Sequence, residues 1–249
     1  MRTCGQCSKR ERRHMGDANK VARGPSQAAG SLMVTGTDTG VGKTLASAAL
    51  LHALRGRGLR AVGMKPVASG CEGTPEGWRN EDALALQAAS DPSPEYADVN
   101  PYALPIPTAP QLAARAAGVQ VDIDAILAAH ARLAVGADRV VVEGAGGWMA
   151  PLADGLEHAT LASALRAGVV LVVGLRLGCL SHARLSARAI DADGLRLAGW
   201  IGSTLDPSFS QEYLALLRDS LPAPCLGVIP HMRGPDPRAA GRALDVASL

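Results

Sequence analysis

The sequence predicts a single α/β domain in which helices cover both faces of a mostly parallel sheet. Apolar runs of strand length alternate with stretches of helix length from residue 32 to residue 229. A glycine-rich turn joins the first strand to the first helix, as in parallel strand–helix–strand units. The 249 residues suffice for one large core, and neither an internal repeat nor a second domain is apparent.

The glycine-rich turn, residues 36–44, has the sequence GTDTGVGKT. Its glycines let successive N–H groups point into one concavity, and the following helix adds its positive N-terminal dipole. Lys43 is placed to reach the outer phosphates of a nucleotide, and the Thr44 hydroxyl to ligate Mg²⁺. The standard pattern GxxxxGK[ST] has a glycine where this chain has Thr37, and Gly36 lies one residue earlier. Because a strand precedes the turn and a helix follows it, we interpret the fold as P-loop NTPase-like.

The other elements follow from the same alternation. Glycines at positions 56 and 58 are expected to end the first helix, and Asn80 is expected to cap the second. Six prolines in residues 91–110 exclude a regular helix or a central strand there and predict a long functional loop or a lid. The predicted strands are residues 32–35, 60–64, 138–142, 169–173, 195–201 and 225–229. The predicted helices are residues 45–55, 83–89, 122–135, 158–167, 181–192 and 208–220.

The charge distribution separates the first 30 residues from the rest. Seven Lys or Arg against two Asp or Glu give residues 1–30 a net charge of +5, which leaves −3 for the remainder of a chain whose total is +2. We predict a disordered basic leader over residues 1–30, with Met15 or Met33 as alternative translation starts, and one folded domain over residues 31–249. Since the positive charge belongs to the leader, nucleic-acid binding is not predicted.

The composition also bears on localisation. No stretch of about 18 uncharged apolar residues predicts a membrane span, and the basic N-terminus lacks the apolar core of a secretion signal. The five cysteines include one C-x-x-C pair, Cys4 and Cys7, without a second pair at zinc-binding spacing. Scattered cysteines are typical of a reducing compartment. We therefore expect a cytoplasmic protein that has no membrane partner.

Five polar side chains are expected to meet at the carboxyl edge of the sheet. Thr44, Asp82 and Glu143 offer the hard oxygen ligands that Mg²⁺ prefers. Glu143 follows three valines and precedes small residues, which favours a magnesium role, whereas Asp82 is equally well explained as an acid in a first helical turn. Lys43 and Lys65 are suited to stabilise charge on a transferring phosphoryl group, although Lys65 also fits a solvated lysine at a strand end.

Several motifs, in one order, resemble dethiobiotin synthetases from about residue 31 to the C-terminus. The motifs are VTGTDTGVGKT at 34–44, GMKPVASG at 63–70, TPEG at 74–77, NEDAL at 80–84, NPY at 100–102, VEGAGG at 142–147, LGC at 177–179 and LAGW at 197–200. This family comprises ATP-dependent cyclo-ligases of biotin synthesis, which join CO₂ to 7,8-diaminononanoate and release ADP and phosphate. The resemblance implies this activity, Mg²⁺ as cofactor, and a homodimer with substrate contacts at the subunit interface.

The resemblance also implies a role for each matching residue. Lys65 would be the catalytic lysine and would act with Lys43 on the carbamate and the transferring phosphoryl group. Ser69 and Thr39 would contact the substrate, and the segment around Gly178 and Ser181 would meet its carboxylate. The implied magnesium ligands are Thr44, Asp82 and Glu143. The implied nucleotide contacts are Thr39, Gly40, Val41, Gly42, Lys43, Thr44, Asp82, Glu143, Gly144, Gly146, Ser203, Pro230, His231 and Met232.

Three positions depart from the pattern of the family. Gly40 stands where members often carry an acidic residue, and Ser181 replaces an asparagine near the substrate carboxylate. Ser203 occupies the position of an asparagine that reads adenine, and its shorter hydroxyl offers fewer fixed hydrogen bonds. We therefore predict weak discrimination between ATP and other nucleoside triphosphates.

Three other classes of protein share part of this pattern. A ParA- or MinD-like regulatory ATPase has the GVGKT core, but it also needs a signature lysine five residues before the loop lysine. That position is occupied by Asp38 in this chain. A cobyrinate amidation enzyme would need the length of an additional amidotransferase domain. An inactive nucleotide-binding scaffold would have no need of Lys65, Asp82 and Glu143 together with the loop.

Overall fold

The structure, a computed structural model, describes residues 30–249. The predicted leader, with Cys4, Cys7 and Met15, therefore lies outside the described residues except for Gly30, which begins the first strand. The strands are β1 (Gly30–Gly36), β2 (Ala61–Met64), β3 (Val67–Ser69), β4 (Glu72–Thr74), β5 (Gly77–Arg79), β6 (Tyr102–Leu104), β7 (Arg139–Gly147), β8 (Gly168–Leu175), β9 (Leu197–Thr204) and β10 (Cys225–Ile229). The helices are α1 (Lys43–Gly56), α2 (Glu81–Ala89), α3 (Tyr96–Val99), α4 (Pro110–Ala117), α5 (Ile123–Ala134), α6 (His158–Ala164), α7 (Cys179–Ala192), α8 (Glu212–Ser220) and α9 (Pro237–Gly241).

Six parallel strands form the central sheet, in the order β10-β9-β8-β1-β7-β2. All six predicted strands are found in it, so the predicted α/β class with a mostly parallel sheet is confirmed. The central strand β8 is buried from Val169 to Leu175, as expected for a parallel strand that is covered on both faces. None of the described helices is long and apolar enough to cross a membrane.

Small aliphatic side chains build the core, because the chain has only one Phe, three Tyr and three Trp. Helix α1 contacts β1, β2 and β7 and buries four consecutive apolar residues, Ala48–Leu51. Helix α9 lies so near α1 that a Cβ on Gly241 would come within 2.8 Å of the Ala49 carbonyl oxygen. A second cluster surrounds Trp200 between β8, β9 and helices α7 and α8. Because small residues let the helices and the sheet approach each other closely, the core is filled with few aromatic side chains.

Some short segments differ from the prediction. The proline-rich stretch contains α3 and β6, and Pro110 begins α4 instead of ending a loop. Proline is favourable at the first helical position because its missing N–H would have no helical partner there. Strands β3 and β6 form a parallel pair, and β4 and β5 form an antiparallel hairpin. Strand β7 does not end at Glu143 but continues to Gly147, which pairs with Gly36.

Because the six strands are parallel, their carboxyl ends share one edge of the sheet. The neighbouring strands β1, β7 and β2 bring the glycine-rich loop, Glu143 and Lys65 to the same place. On the other side of β1, strand β8 ends at Leu175, β9 ends at Thr204, next to Ser203, and β10 ends at Ile229, just before residues 230–232. The fold therefore places Lys65 and Glu143 on one side of the loop and the residues that were predicted to read the base on the other.

Candidate active site

A cavity of about 610 Å³ lies at the carboxyl edge of β1, β7 and β2. The beginning of α4 and residues 145–151 complete its walls. Most of the residues predicted to bind phosphate, magnesium or substrate line this cavity. These are Thr39, Gly40, Gly42, Lys43, Thr44, Lys65, Ser69, Asp82, Glu143 and Gly146.

The loop between β1 and α1 has the backbone that a phosphate-binding loop requires. Gly40 and Gly42 have φ angles of 73° and 83°, a region that favours glycine. Gly42 immediately precedes α1, whose first N–H groups have no partner within the helix. Thr37 replaces the first glycine of the standard motif, and its Oγ1 accepts a hydrogen bond from the Gly174 N–H at 3.2 Å. The departure from the standard motif thus ties the loop to β8.

The ammonium group of Lys65 is the centre of the site. It donates hydrogen bonds to Glu143 Oε1 at 2.7 Å, to Asp82 Oδ2 at 3.0 Å and to the Gly144 carbonyl oxygen at 3.3 Å. Thr44 Oγ1 donates to the same Glu143 oxygen at 3.0 Å. Lys65 is 5% exposed, which excludes the alternative of a solvated lysine at a strand end. The predicted catalytic lysine and the three predicted magnesium ligands are therefore in direct contact.

Two opposing effects set the protonation of the cluster. Burial favours the neutral form of Lys65, but Glu143 and Asp82 outweigh it and raise its pKa. Burial also opposes ionisation of Asp82, yet Lys65 holds the pKa of that carboxyl below its usual value. The pKa of Lys43 is lowered, first by burial and then by the positive charge of Lys65. Lys43 donates to a carbonyl oxygen, that of Asp38, at 2.9 Å, so its charge is available to an anionic ligand.

One oxygen of the buried carboxylate, Glu143 Oε2, has no hydrogen-bond partner in the described part of the chain. Buried polar atoms without a partner are rare in native proteins, and a carboxylate oxygen of this kind suits a cation. Thr44 and Asp82 add a hydroxyl and a second carboxylate, which are the hard ligands that Mg²⁺ takes. Within residues 30–249, no group of three or more His, Cys, Asp or Glu could hold a metal by itself. The donor set therefore fits an ion that also binds phosphate oxygens or water.

His158, which sequence reasoning did not single out, supports the backbone after Glu143. Its imidazole is fully buried, and Nε2 accepts a hydrogen bond from the Ala145 N–H at 3.1 Å. A Cβ on Gly144 would lie 2.4 Å from the same nitrogen. Gly144 was expected to allow close approach of a ligand, but the group that approaches it is this histidine. The only signal in the sequence is an ionisable ring at the start of a helix whose other residues are small or apolar.

The residues predicted to contact the base lie next to the phosphate loop. A Cβ on Gly42 would come within 2.8 Å of Ser203 Oγ, so this serine directly adjoins the loop. Ile229 pairs with Ser203, which places residues 230–232 immediately beyond it at the same edge. The side chain of Val41 is buried, so this residue can offer only its backbone to a ligand.

The residues predicted to contact the substrate are divided between two places. Ser69 lines the cavity, where its Oγ donates to the Thr108 carbonyl oxygen at 2.6 Å. Gly178 precedes α7 and Ser181 lies in its first turn, and neither lines the cavity in the described chain. Ser181 instead borders a separate hollow on α7 with Arg184 and other residues of that helix. The two sets are therefore not brought together within one chain.

Known proteins resemble this chain over nearly its whole described length. The family described as "AAA domain" matches residues 30–238. A protein of Xanthomonas euvesicatoria pv. vesicatoria (strain 85-10), named ATP-dependent dethiobiotin synthetase BioD, is 60% identical over 215 residues, which are 86% of this chain and 96% of the relative. The chain belongs to the dethiobiotin synthetase family. A second family member, from Xylella fastidiosa (strain 9a5c), is 62% identical over 201 residues, 80% of this chain and 89% of the relative.

Solved structures outside the dethiobiotin synthetases share the fold. The cell division protein FtsY of Thermotoga maritima has a TM-score of 0.52 at 18% identity, covering 88% of this chain and 69% of that chain. The MinC:MinD cell division complex of Aquifex aeolicus has a TM-score of 0.52 at 15% identity, covering 82% of this chain and 83% of that chain. Identities this low show the fold alone, so the likeness to MinD does not favour a regulatory ATPase over a dethiobiotin synthetase.

Proposed function

We propose that the chain catalyses the ATP-dependent closure of 7,8-diaminononanoate with CO₂ to dethiobiotin, with release of ADP and phosphate. The observation that carries the proposal is the buried cluster of Lys65, Asp82, Glu143 and Thr44 beside a phosphate-binding loop. The 60% identity to a protein named dethiobiotin synthetase, over 96% of that protein, supports the assignment of this cluster to that reaction.

The first step forms an anionic carbamate. One amine of the substrate attacks the carbon of CO₂ and loses a proton, which leaves a negative charge on the new carboxylate. Lys65 and Lys43 line the cavity and supply two positive charges near that place. Because both ammonium groups lie in a site with little solvent, their attraction for the carbamate is stronger than it would be in water.

Phosphoryl transfer then activates the carbamate. A carbamate oxygen attacks the γ-phosphorus of ATP, the bond from that phosphorus to the bridging oxygen breaks, and ADP leaves. The backbone of residues 39–44 would hold the phosphates, and Lys43 would stabilise the charge that is spread over the transferring group. The second amine attacks the carbon of the mixed anhydride, loses a proton and expels phosphate. No protein nucleophile is needed, so the protein positions the reactants and stabilises charge.

Mg²⁺ is the proposed cofactor, and Thr44, Asp82 and Glu143 would hold it. The ion would supply positive charge to the phosphate oxygens of ATP. The unpartnered Glu143 Oε2 supports this assignment, since it offers a buried anionic ligand next to the loop. In the described chain, Lys65 forms ion pairs with the carboxylates of Asp82 and Glu143. When these carboxylates bind a cation, Lys65 would turn its ammonium group towards the anionic substrate.

A cytoplasmic homodimer is part of the proposal. Gly178 and Ser181 would meet the substrate carboxylate, but they do not line the cavity of the chain to which they belong. Large apolar side chains are exposed beside them: Leu177 is 84% exposed and Leu185 is 61% exposed. Exposed apolar groups of this kind are typical of a surface that a partner covers, and a second copy would bring these residues to a neighbouring site.

A coupled ADP-release assay tests the function. Purified protein is given Mg-ATP and bicarbonate with and without 7,8-diaminononanoate, and dethiobiotin is detected by mass. We expect ADP release that depends on the diamine, with one ring product for each ADP, and no turnover for Lys43→Gln. Slow ATP hydrolysis at the same rate with and without the diamine would instead favour a regulatory ATPase. Normal activity of Lys43→Gln would remove the loop lysine from the mechanism.

Weak selection of the nucleotide base is a further part of the proposal. Ser203 is 5% exposed and adjoins Gly42, so its hydroxyl is near the loop that would hold the phosphates. A single hydroxyl can donate or accept for several bases, whereas an asparagine presents a fixed donor and acceptor. Comparable kcat/KM for ATP, GTP and CTP is expected, with higher selectivity in Ser203→Asn. A preference of about 100-fold for ATP in the wild type would contradict this.

A further inference from the structure

The backbone of Lys65 is held by the C-terminal end of α3 and the residue that caps it. The Lys65 N–H donates to the Val99 carbonyl oxygen at 2.7 Å, and Asn100 Nδ2 donates to the Lys65 carbonyl oxygen at 2.7 Å. The same amide nitrogen donates to the Tyr102 carbonyl oxygen at 3.2 Å. Since Asn100 is only 3% exposed, water does not compete for these bonds. Both backbone groups of the lysine are therefore fixed.

Tyr96 connects this asparagine to helix α2, which carries Asp82. The phenolic hydroxyl of Tyr96 donates to Asn100 Oδ1 at 3.1 Å and accepts from the Asn80 N–H at 2.8 Å. Asn80 is the N-terminal cap of α2 and lies two residues before Asp82. A continuous series of hydrogen bonds thus runs from the carbonyl of Lys65, through two side chains, to the start of the helix that bears its ionic partner.

We propose that Tyr96 and Asn100 are positioning residues that hold the backbones of Lys65 and Asp82 at a fixed separation during the reaction. The inference rests on the proposed function, and it gives a role to Asn100, the first residue of the NPY motif. The direct ion pair between the two side chains, 3.0 Å long, must open when Lys65 turns to an anionic substrate. The series through Tyr96 uses none of the atoms that open, so it persists through that exchange.

Buried polar groups give this arrangement its rigidity. The amide of Asn100 has three partners, two for its nitrogen and one for its oxygen, which leave its plane little freedom. Removing the Tyr96 hydroxyl deprives both Asn100 Oδ1 and the Asn80 N–H of a partner at once. We expect the start of α2 to shift relative to β2, and a displacement of about 1 Å at a catalytic group can lower a rate by about 100-fold.

The test compares two variants in which a tyrosine loses its hydroxyl group. Tyr96→Phe breaks the series, whereas Tyr102→Phe removes a hydroxyl that accepts from the Asp122 N–H at 2.9 Å on the exposed side and has no bond to Lys65 or α2 among the described contacts. Asn100→Asp is the second variant, because it keeps the acceptor for Tyr96 but removes the amide donor. For each variant, kcat in the diamine-dependent assay, Tm, and ATP affinity without magnesium are measured.

Positioning predicts a specific pattern in kcat and ATP affinity, and Tm reports whether each variant folds. In Tyr96→Phe and Asn100→Asp, kcat should fall by about tenfold or more, while ATP affinity without magnesium changes by less than about twofold, because the loop is untouched. Tyr102→Phe should keep the wild-type kcat. In a Lys65→Gln background, Tyr96→Phe should lower the residual rate by much less than it lowers the wild-type rate, since most of its effect passes through that lysine.

Two results would overturn the inference alone. One is a kcat of Tyr96→Phe within about twofold of the wild type, and the other is a fall that persists in full in the Lys65→Gln background. If Tyr96→Phe does not fold, Asn100→Asp is judged by the same criteria. Wild-type protein that shows no diamine-dependent turnover would instead overturn the proposed function, so the two failures are distinguishable.

Discussion

The buried imidazole of His158 makes the stability of the protein depend on pH in a defined way. Burial, followed by the positive charges of Lys43 and Lys65, lowers the pKa of His158 to about 4. The hydrogen bond from the Ala145 N–H to Nε2 acts in the same direction, because that nitrogen cannot accept it once protonated. The folded protein therefore keeps this ring neutral at pH values where an unfolded chain protonates it.

The size of the effect follows from the difference between the two pKa values. The ordinary value is 6.5, so the fall to about 4 corresponds to about 3 kcal/mol of folding free energy, at about 1.4 kcal/mol per unit. This contribution is fully present above pH 6.5, the ordinary pKa of histidine, and is lost as the pH falls towards the folded-state value of about 4. Since domains are stable by only about 5–15 kcal/mol, the loss is large.

Urea unfolding of the wild type and of His158→Phe measures this contribution. The phenyl ring keeps most of the volume but does not titrate, so the variant should lose about 3 kcal/mol less than the wild type between about pH 7 and about pH 4. Carboxylates that titrate in this range are common to both proteins and cancel in the difference. His182→Phe, at an exposed position on α7, is the control and should follow the wild type. Equal losses in wild type and His158→Phe would refute the reasoning.

Three further predictions concern the same domain. Gly144→Ala should cost about 1–3 kcal/mol in urea unfolding and lower activity, because its Cβ would meet the imidazole nitrogen; wild-type values would contradict this. Lys65→Met should destabilise by about 3–5 kcal/mol, since it strands the buried Glu143 carboxylate, and Glu143→Gln should restore much of the loss; a stable single variant would contradict this. Deletion of residues 2–29 should leave Tm and kcat unchanged, and a loss of folding would show that the leader belongs to the domain.

Local patterns were sufficient to predict the sheet and much of the site. The loop, Lys65 and Glu143 each follow an apolar run, and parallel strands bring such positions to one edge regardless of their distance in the chain. The proximity of Lys65 and Glu143 was therefore predictable although they are 78 positions apart in the sequence. The cap at Asn80 was also predictable, because its side chain acts within three residues of its own position.

The features that the sequence did not predict depend on contacts and context that short sequence patterns do not report. Pro110 was treated as a helix breaker, although the same residue can begin a helix, and only the context of α4 distinguishes the two roles. The strand was predicted to end at residue 142, but pairing of Gly147 with Gly36 extends β7 through the glycines that follow, against their low strand propensity. The roles of His158 and Tyr96 rest on contacts between distant segments, which no periodicity reports.

The hydrogen bonds of Tyr96 and Asn100 are also compatible with the way in which the site neutralises its buried charges. Without ligands, the carboxylates of Asp82 and Glu143 neutralise Lys65, so the protein buries no unpaired ammonium group there. In the proposed reaction, the ammonium group changes partners when the substrate binds, and any support attached to that group would have to break as well. Because the hydrogen bonds of Asn100 hold the backbone of Lys65, only the side chain must move. The charge is then placed for reaction without reorganisation of the sheet edge, which is the condition for electrostatic stabilisation of a transition state.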